Sequence, residues 1–241
     1  MVMYTLGLSI LYNNISFLFG EFMKILNFFK MLLLGLILAF TASFSGATAA
    51  SNTNVQDAEK LVLSLMDETY AKLEENDKNI FTYFSKVAEE KFALTYMTRW
   101  SLGQYYKSTS DELRKQYYKA AKEYLVRNYG TLFVQYYKLY KYKIKDSVAQ
   151  GQNEVLVNML IEAKDSGNVP NNNALINVQW KLRYSNQDKK YYITDVIINN
   201  ISFLNSQRSV FQSLIKSKNN DIAAFITTLE EKVANIKNKN Q

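Results

Sequence analysis

Any bond-making chemistry in this chain must come from carboxylates, because its 241 residues include neither histidine nor cysteine. That removes the Ser-His-Asp triad, the Cys-His nucleophile, the imidazole proton shuttle, Cys/His zinc sites and iron–sulfur clusters. It also removes any disulfide framework, so the fold must be held by its core. Paired-acid glycoside hydrolysis and Ca²⁺ or Mg²⁺ sites survive. The adjacent acids Glu89-Glu90, Asp111-Glu112 and Glu230-Glu231 fall in helical stretches, where neighbours diverge by about 100° and cannot share a substrate. No loop of alternating acids suits calcium. Asp195 stands apart, since it shares an expected strand face with Ile193 and Ile197 and is expected to be partly buried. A structural hydrogen bond is the favoured role for it. The sequence offers no active site, and a non-enzyme without metal or cofactor is expected.

Aromatic residues are the other conspicuous resource. More than half of the 18 tyrosines lie between Tyr96 and Tyr142, mixed with Met97, Trp100 and Phe133. Each is a large apolar body with or without a polar tip. Together they fit a wide apolar space between helices and sheet, filled either by side chains or by a ligand.

The elements that position these residues follow from periodicity. Leu61, Leu65, Met66, Tyr70 and Leu73 make a helical stripe over about 55–75, and a second helical stretch covers about 79–106. Thr109-Ser110-Asp111-Glu112 reads as a capping box with Thr109 as N-cap. The long helix it starts carries Leu113, Tyr117, Ala121, Leu125, Leu132, Tyr136 and Tyr140, with Gly130 expected to bend or divide it. The period then becomes two. Tyr140, Tyr142 and Ile144 alternate with Lys141, Lys143 and Lys145; Val155, Val157, Met159 and Ile161 share a face; Ile176, Val178, Trp180, Leu182 and Tyr184 alternate with Asn177, Gln179, Lys181 and Arg183. Asp165–Asn173, with the single proline Pro170, is an expected loop, and 185–189 turns the chain into a fourth strand over 190–198. Two helices, about 206–216 and 221–236, finish the chain. Helices, then strands, then helices indicate an α+β fold: a four-stranded curled antiparallel sheet packed by helices from both ends, enclosing an apolar pocket.

The first fifty residues read as an address. Lys24 and Lys30 precede the apolar run 31–40, and Ala47-Thr48-Ala49-Ala50 closes it. A basic start, a short apolar core and small residues make residues 23–50 a Sec signal peptide, the run being too short for a confident membrane span. Residues 1–22 are expected to be an over-long start, and 51–241 the single mature domain, exported to the periplasm. Losing 1–50 removes Lys24, Lys30 and Glu21, which lowers the formal net charge of +7 by one. The remaining charge is compatible with anionic partners, but no basic block resembles a nucleic-acid arm.

Two runs then carry a resemblance. Trp100-Ser-Leu102-Gly103-Gln-Tyr105-Tyr106 with Thr109–Glu112, Tyr117, Leu125 and Tyr129-Gly130 is one. The other is Val178-Gln-Trp180-Lys-Leu182-Arg183, Tyr191-Tyr-Ile193-Thr-Asp195-Val196, Asn200-Ile201-Ser202-Phe203 and Gln207-Arg208 followed by Phe211. These resemble the MlaC, or toluene-tolerance, family of periplasmic phospholipid-binding proteins. Tyr191 stands where that family has Trp, and Asn200 where it has Gly; if the glycine has φ > 0, Asn is the residue most able to replace it. The resemblance implies a soluble carrier moving phospholipid between an outer-membrane lipoprotein–porin complex and an inner-membrane ABC transporter, so maintaining outer-membrane lipid asymmetry. Its tail pocket would be lined by Val157, Met159, Ile161, Val178, Trp180 and Leu182 from the sheet, and by Met97, Leu125, Tyr129, Leu132, Phe133 and Tyr136 from the helices. Arg99 and Arg208 are candidates for the headgroup phosphate, or for structural ion pairs. The alternatives are an enzyme on a nuclear-transport-factor-like cone with Asp195 as base, and a periplasmic adaptor whose aromatic surface binds protein. Lys141, Lys143 and Lys145 with Lys181 and Arg183 could form one basic patch on the polar sheet face.

Overall fold

The structure is a computed structural model that describes residues 54–75, 78–165 and 175–239. The expected start at 1–22, the signal peptide at 23–50 and Pro170 lie outside the described residues. Six α-helices and five strands make up the described chain: α1 Val55–Glu74, α2 Ile80–Lys91, α3 Leu94–Leu102, α4 Asp111–Tyr136, β1 Tyr140–Ala149, β2 Glu154–Ala163, β3 Leu175–Ser185, β4 Lys190–Ile198, β5 Ile201–Ser202, α5 Phe203–Ser217 and α6 Ile222–Lys239.

All neighbours in the sheet are antiparallel, in the order β1-β2-β3-β4-β5. The sheet is curled and unclosed, and register irregularities sit in β1 between Ile144 and Asp146 and opposite the Lys181–Leu182 step of β3. Such bulges sharpen twist and re-aim side chains. The expected four strands are therefore five. The extra one is a two-residue strand reached through Asn199 (φ 47°) and Asn200 (φ 67°). Two left-handed residues between paired Ile198 and Ile201 suit a tight hairpin turn, and asparagine tolerates that region better than other non-glycine residues. A strand this short carries no alternation to read.

Helix α1 lies across the inner face of the sheet. Ala58, Val62, Leu65 and Met66 pack on Val155, Val157, Met159, Val178, Trp180, Leu182, Tyr191 and Ile193. Full burial of each large side chain contributes roughly 1.5–3 kcal/mol before chain entropy is charged. Asn54 caps α1 by accepting from the Gln56 and Asp57 N–H groups. A second core is made by helices alone: Leu102, Tyr117, Ala120, Ala121, Phe211, Ile215, Phe225, Ile226 and Leu229. Tyr117 is satisfied inside it, sharing a hydrogen bond with the Ser101 hydroxyl at 2.8 Å and donating to the Thr98 carbonyl at 3.2 Å.

Three helical expectations change. The stretch 79–106 breaks at Phe92-Ala93, where the Ala93 N–H bonds the Ile193 carbonyl at 2.8 Å and ties the break to β4. The N-cap of α4 is Ser110, accepting from Leu113 N–H at 3.3 Å. Thr109 instead turns its hydroxyl back to the Tyr105 carbonyl at 2.7 Å and is buried. Gly130 does not divide α4, which runs unbroken through it. A Cβ there would come within 2.8 Å of the Phe84 ring, so glycine is what lets α2 approach α4.

Candidate functional site

Helix α4 presents three apolar faces. Tyr117, Ala120, Ala121 and Tyr124 face the helical core. Gly130, Phe133 and Tyr137 face α1 and α2, where Phe133 meets Tyr70 and Phe84 edge-on at 6.0 and 6.4 Å. Leu125, Tyr129, Leu132 and Tyr136 occupy the strip between, spanning about 60° at about 100° per residue. Leu125, Leu132 and Tyr136 are half-buried and Tyr129 is 39% exposed. Four large side chains thus form a strip that neither core claims. Among the twelve expected lining residues, these four share one face.

The sheet contributes the others differently. Val157, Met159, Val178, Trp180 and Leu182 are all buried, with Ile161 half-buried beside them, against α1. Met97 is 4% exposed on α3. Within this set the Trp180 indole N–H has no partner among the described residues. A buried donor without an acceptor costs roughly 1–3 kcal/mol.

Beside the Tyr129 end of the strip, α3 and α5 meet at an aromatic corner. Tyr129 packs edge-on against Phe203 at 4.7 Å. Its hydroxyl donates to Gln207 Oε1 at 3.1 Å, and burial of that hydroxyl pushes its pKa well above the usual tyrosine value. Gln207 is 3% exposed, and its amide nitrogen has no partner among the described residues. One residue further on, the Arg208 guanidinium lies 4.9 Å from the Trp100 ring. Trp100 donates its indole N–H to Asn205 Oδ1 at 3.1 Å and stacks loosely on Tyr96 at 6.2 Å. Tyr96 and Trp100 are exposed. Arg99 covers Tyr106 at 5.0 Å, with Arg114 on the same ring at 4.4 Å. Neither Arg99 nor Arg208 forms an ion pair among the described residues; their stacks are cation–π contacts, which leave both charges without a counter-ion. Gly103 (φ +61°) ends α3, and a Cβ there would strike Gln212 and crowd Arg208.

Asp195 is 9% exposed and fully engaged. It accepts from Val196 N–H at 2.8 Å, Leu204 N–H at 2.9 Å and the Ser202 hydroxyl at 2.6 Å. The carboxylate thus closes the start of α5, where the helix dipole favours a negative charge. The bulge explains its setting: Val196, not Ile197, continues the inward row, pairing with Trp180. On the outer sheet face the expected basic patch is interrupted by acids. Lys141 and Lys143 both reach Glu162, at 3.3 and 2.7 Å, while Lys181 and Arg183 both reach Glu154, at 3.2 Å each.

Gln207, Phe203 and Trp100 were not among the expected site residues. Nothing in hydrophobic periodicity marks a buried glutamine, although Gln207-Arg208 is part of the run that carried the family resemblance.

The profile of the MlaC protein family matches residues 56–231, which is most of the chain. The chain belongs to the MlaC family. Among solved structures, it is similar to a phospholipid-binding protein from Ralstonia solanacearum, determined in complex with a phospholipid. Identity to that protein is 16% and the TM-score 0.59, over 75% of this chain and 99% of the other. At that identity the likeness is one of fold. This MlaC-family fold thus places the α4 strip, the aromatic corner and the capped start of α5 on one framework. Among the described residues no helix is long and apolar enough to cross a membrane, and no group of three His, Cys, Asp or Glu could hold a metal.

Proposed function

We propose that this MlaC-family chain is a phospholipid carrier of the periplasm, moving single lipids between an outer-membrane lipoprotein–porin complex and an inner-membrane ABC transporter. The observation that carries the reading is the strip Leu125, Tyr129, Leu132 and Tyr136, large apolar groups outside the filled cores, with Arg208, which has no carboxylate partner among the described residues, next to the Gln207 that Tyr129 bonds. Acyl chains would enter along the strip toward the inner sheet face. The phosphate would stay at the corner near Arg208 and Arg99, because burying it without partners costs too much.

The energetics suit carriage without chemistry. An acyl chain of about 15 methylenes gains roughly 12 kcal/mol on leaving water, so escape into an aqueous compartment is slow. Exchange from bilayer to pocket swaps one apolar setting for another, and its net free energy lies near zero. Docking can then set direction. The engaged Asp195 carboxylate supports a binding role over the enzyme reading, since its oxygens already accept three hydrogen bonds from the fold.

Mass spectrometry of the purified protein tests the reading. Co-purifying phospholipid near one molecule per chain, lost on Leu132→Glu while the chain stays folded, is the expected result. Protein that purifies empty and takes no lipid from vesicles would overturn it.

A further inference from the structure

Gln207 is the one buried amide in the corner with a donor to spare. Tyr129 satisfies one end of its side chain, and nothing among the described residues satisfies the other. Native folds rarely leave such a group without an acceptor. Tyr129 belongs to the apolar strip, so Gln207 lies where the strip meets α5, with Arg208 next in sequence and half-buried. The chemistry of the missing acceptor is constrained. A phosphate at a site only 3% exposed would face a neutral amide whose described hydrogen-bond partner, Tyr129, is also neutral, an expensive burial. A neutral carbonyl oxygen fits.

We propose that Gln207 donates to an ester carbonyl of a bound diacyl lipid and so fixes how deep the tails sit. This rests on the carrier reading above. The ester groups of a glycerolipid lie between its tails and its phosphate, just as Gln207 lies between the apolar strip and Arg208. Tyr129 orients the amide by holding its oxygen, which turns the nitrogen toward the ligand. Gln207 and Tyr129 are thereby selective for ester-linked over ether-linked lipid, since an ether oxygen accepts a hydrogen bond poorly.

The test compares diacyl phosphatidylglycerol with its dialkyl ether counterpart, each offered in vesicles to the whole protein. The wild type is expected to take up the diacyl lipid about tenfold better, the worth of one buried hydrogen bond. Gln207→Met with Tyr129→Phe removes both partners together, so neither is left orphaned, and should bind the two lipids equally while keeping its circular dichroism. Equal uptake of both lipids by the wild type overturns the role of Gln207 and leaves the carrier reading standing; it needs no variant to fold. An ester preference that survives in the double variant overturns it too. Uptake of neither lipid overturns the carrier reading itself.

Discussion

On the outer face of the sheet, Lys141 and Lys143 converge on Glu162, and Lys181 and Arg183 converge on Glu154. On α3 and α5, Arg99 and Arg208 instead lie on aromatic rings and form no ion pair among the described residues. Antiparallel register accounts for the first region: Lys141 stands opposite Glu162, and Arg183 opposite Glu154, so each pair is imposed by the ladder. No such ladder exists at the corner, where helix ends and a left-handed glycine bring together residues far apart in sequence. Cations are therefore offset locally on the sheet and left available at the corner. Basic residues on the sheet edge also hinder edge-to-edge association, a sufficient reason for their presence.

The largest expected effect comes from detaching the corner. Asp195→Ala should cost about 3 kcal/mol in denaturant unfolding, because one buried and two partly buried donors lose their acceptor at the start of the helix that carries Arg208. Asp195→Asn should recover part of that loss, and unchanged stability would show that the start of α5 is held otherwise.

A smaller effect tests the spacing between elements. Gly130→Ala would raise helix propensity by about 1 kcal/mol in isolation, yet overpacking against Phe84 should outweigh it and give a net loss of about 1–2 kcal/mol. A stabilised variant would show that the α2–α4 contact yields freely.

The cations themselves can be compared directly. Arg208→Gln is expected to weaken uptake of anionic phospholipid about tenfold, against less than twofold for Lys141→Gln, and only the former should flatten the salt dependence of wild-type uptake. Equal losses at both positions would erase the contrast.

The smallest effect is on pH. Hydrogen bonds from Lys143 and Lys141 hold the Glu162 carboxyl below the usual glutamate range. A depressed folded-state pKa means the stabilisation is present above the ordinary glutamate value and is lost as pH falls through the folded one. Glu162→Gln should therefore shrink the acid-side slope of stability slightly and leave neutral behaviour and lipid uptake unchanged. A marked fall in lipid uptake would place Glu162 at the site.

Alternation alone marked β2, β3 and β4 to within a residue or two, and the first six residues of β1, because one face of each is more buried than the other; past its register irregularity β1 runs on to Ala149. The left-handed conformation of Asn200 was suggested only through the resemblance, in which it stands in a glycine position, since few residue types tolerate φ > 0. The strip on α4 was legible as residues but not as a face. Its helix carries apolar side chains on three sides, and only the packing of the other helices leaves one of them half-buried, outside the filled cores. Gln207 was illegible as a site, because a glutamine has no periodicity of its own and its burial depends on Tyr129, 78 positions away.

By itself the sequence determined the four long strands, most of the helices, the α+β class and the absence of thiol or imidazole chemistry, all consequences of residue type and short-range spacing. Tertiary structure alone decided that Asp195 closes a helix, that the sheet lysines meet glutamates and that Arg99 and Arg208 lie on aromatic rings. Each of those outcomes depends on which distant side chain arrives within about 3–5 Å, the range over which hydrogen bonds, ion pairs and ring contacts act.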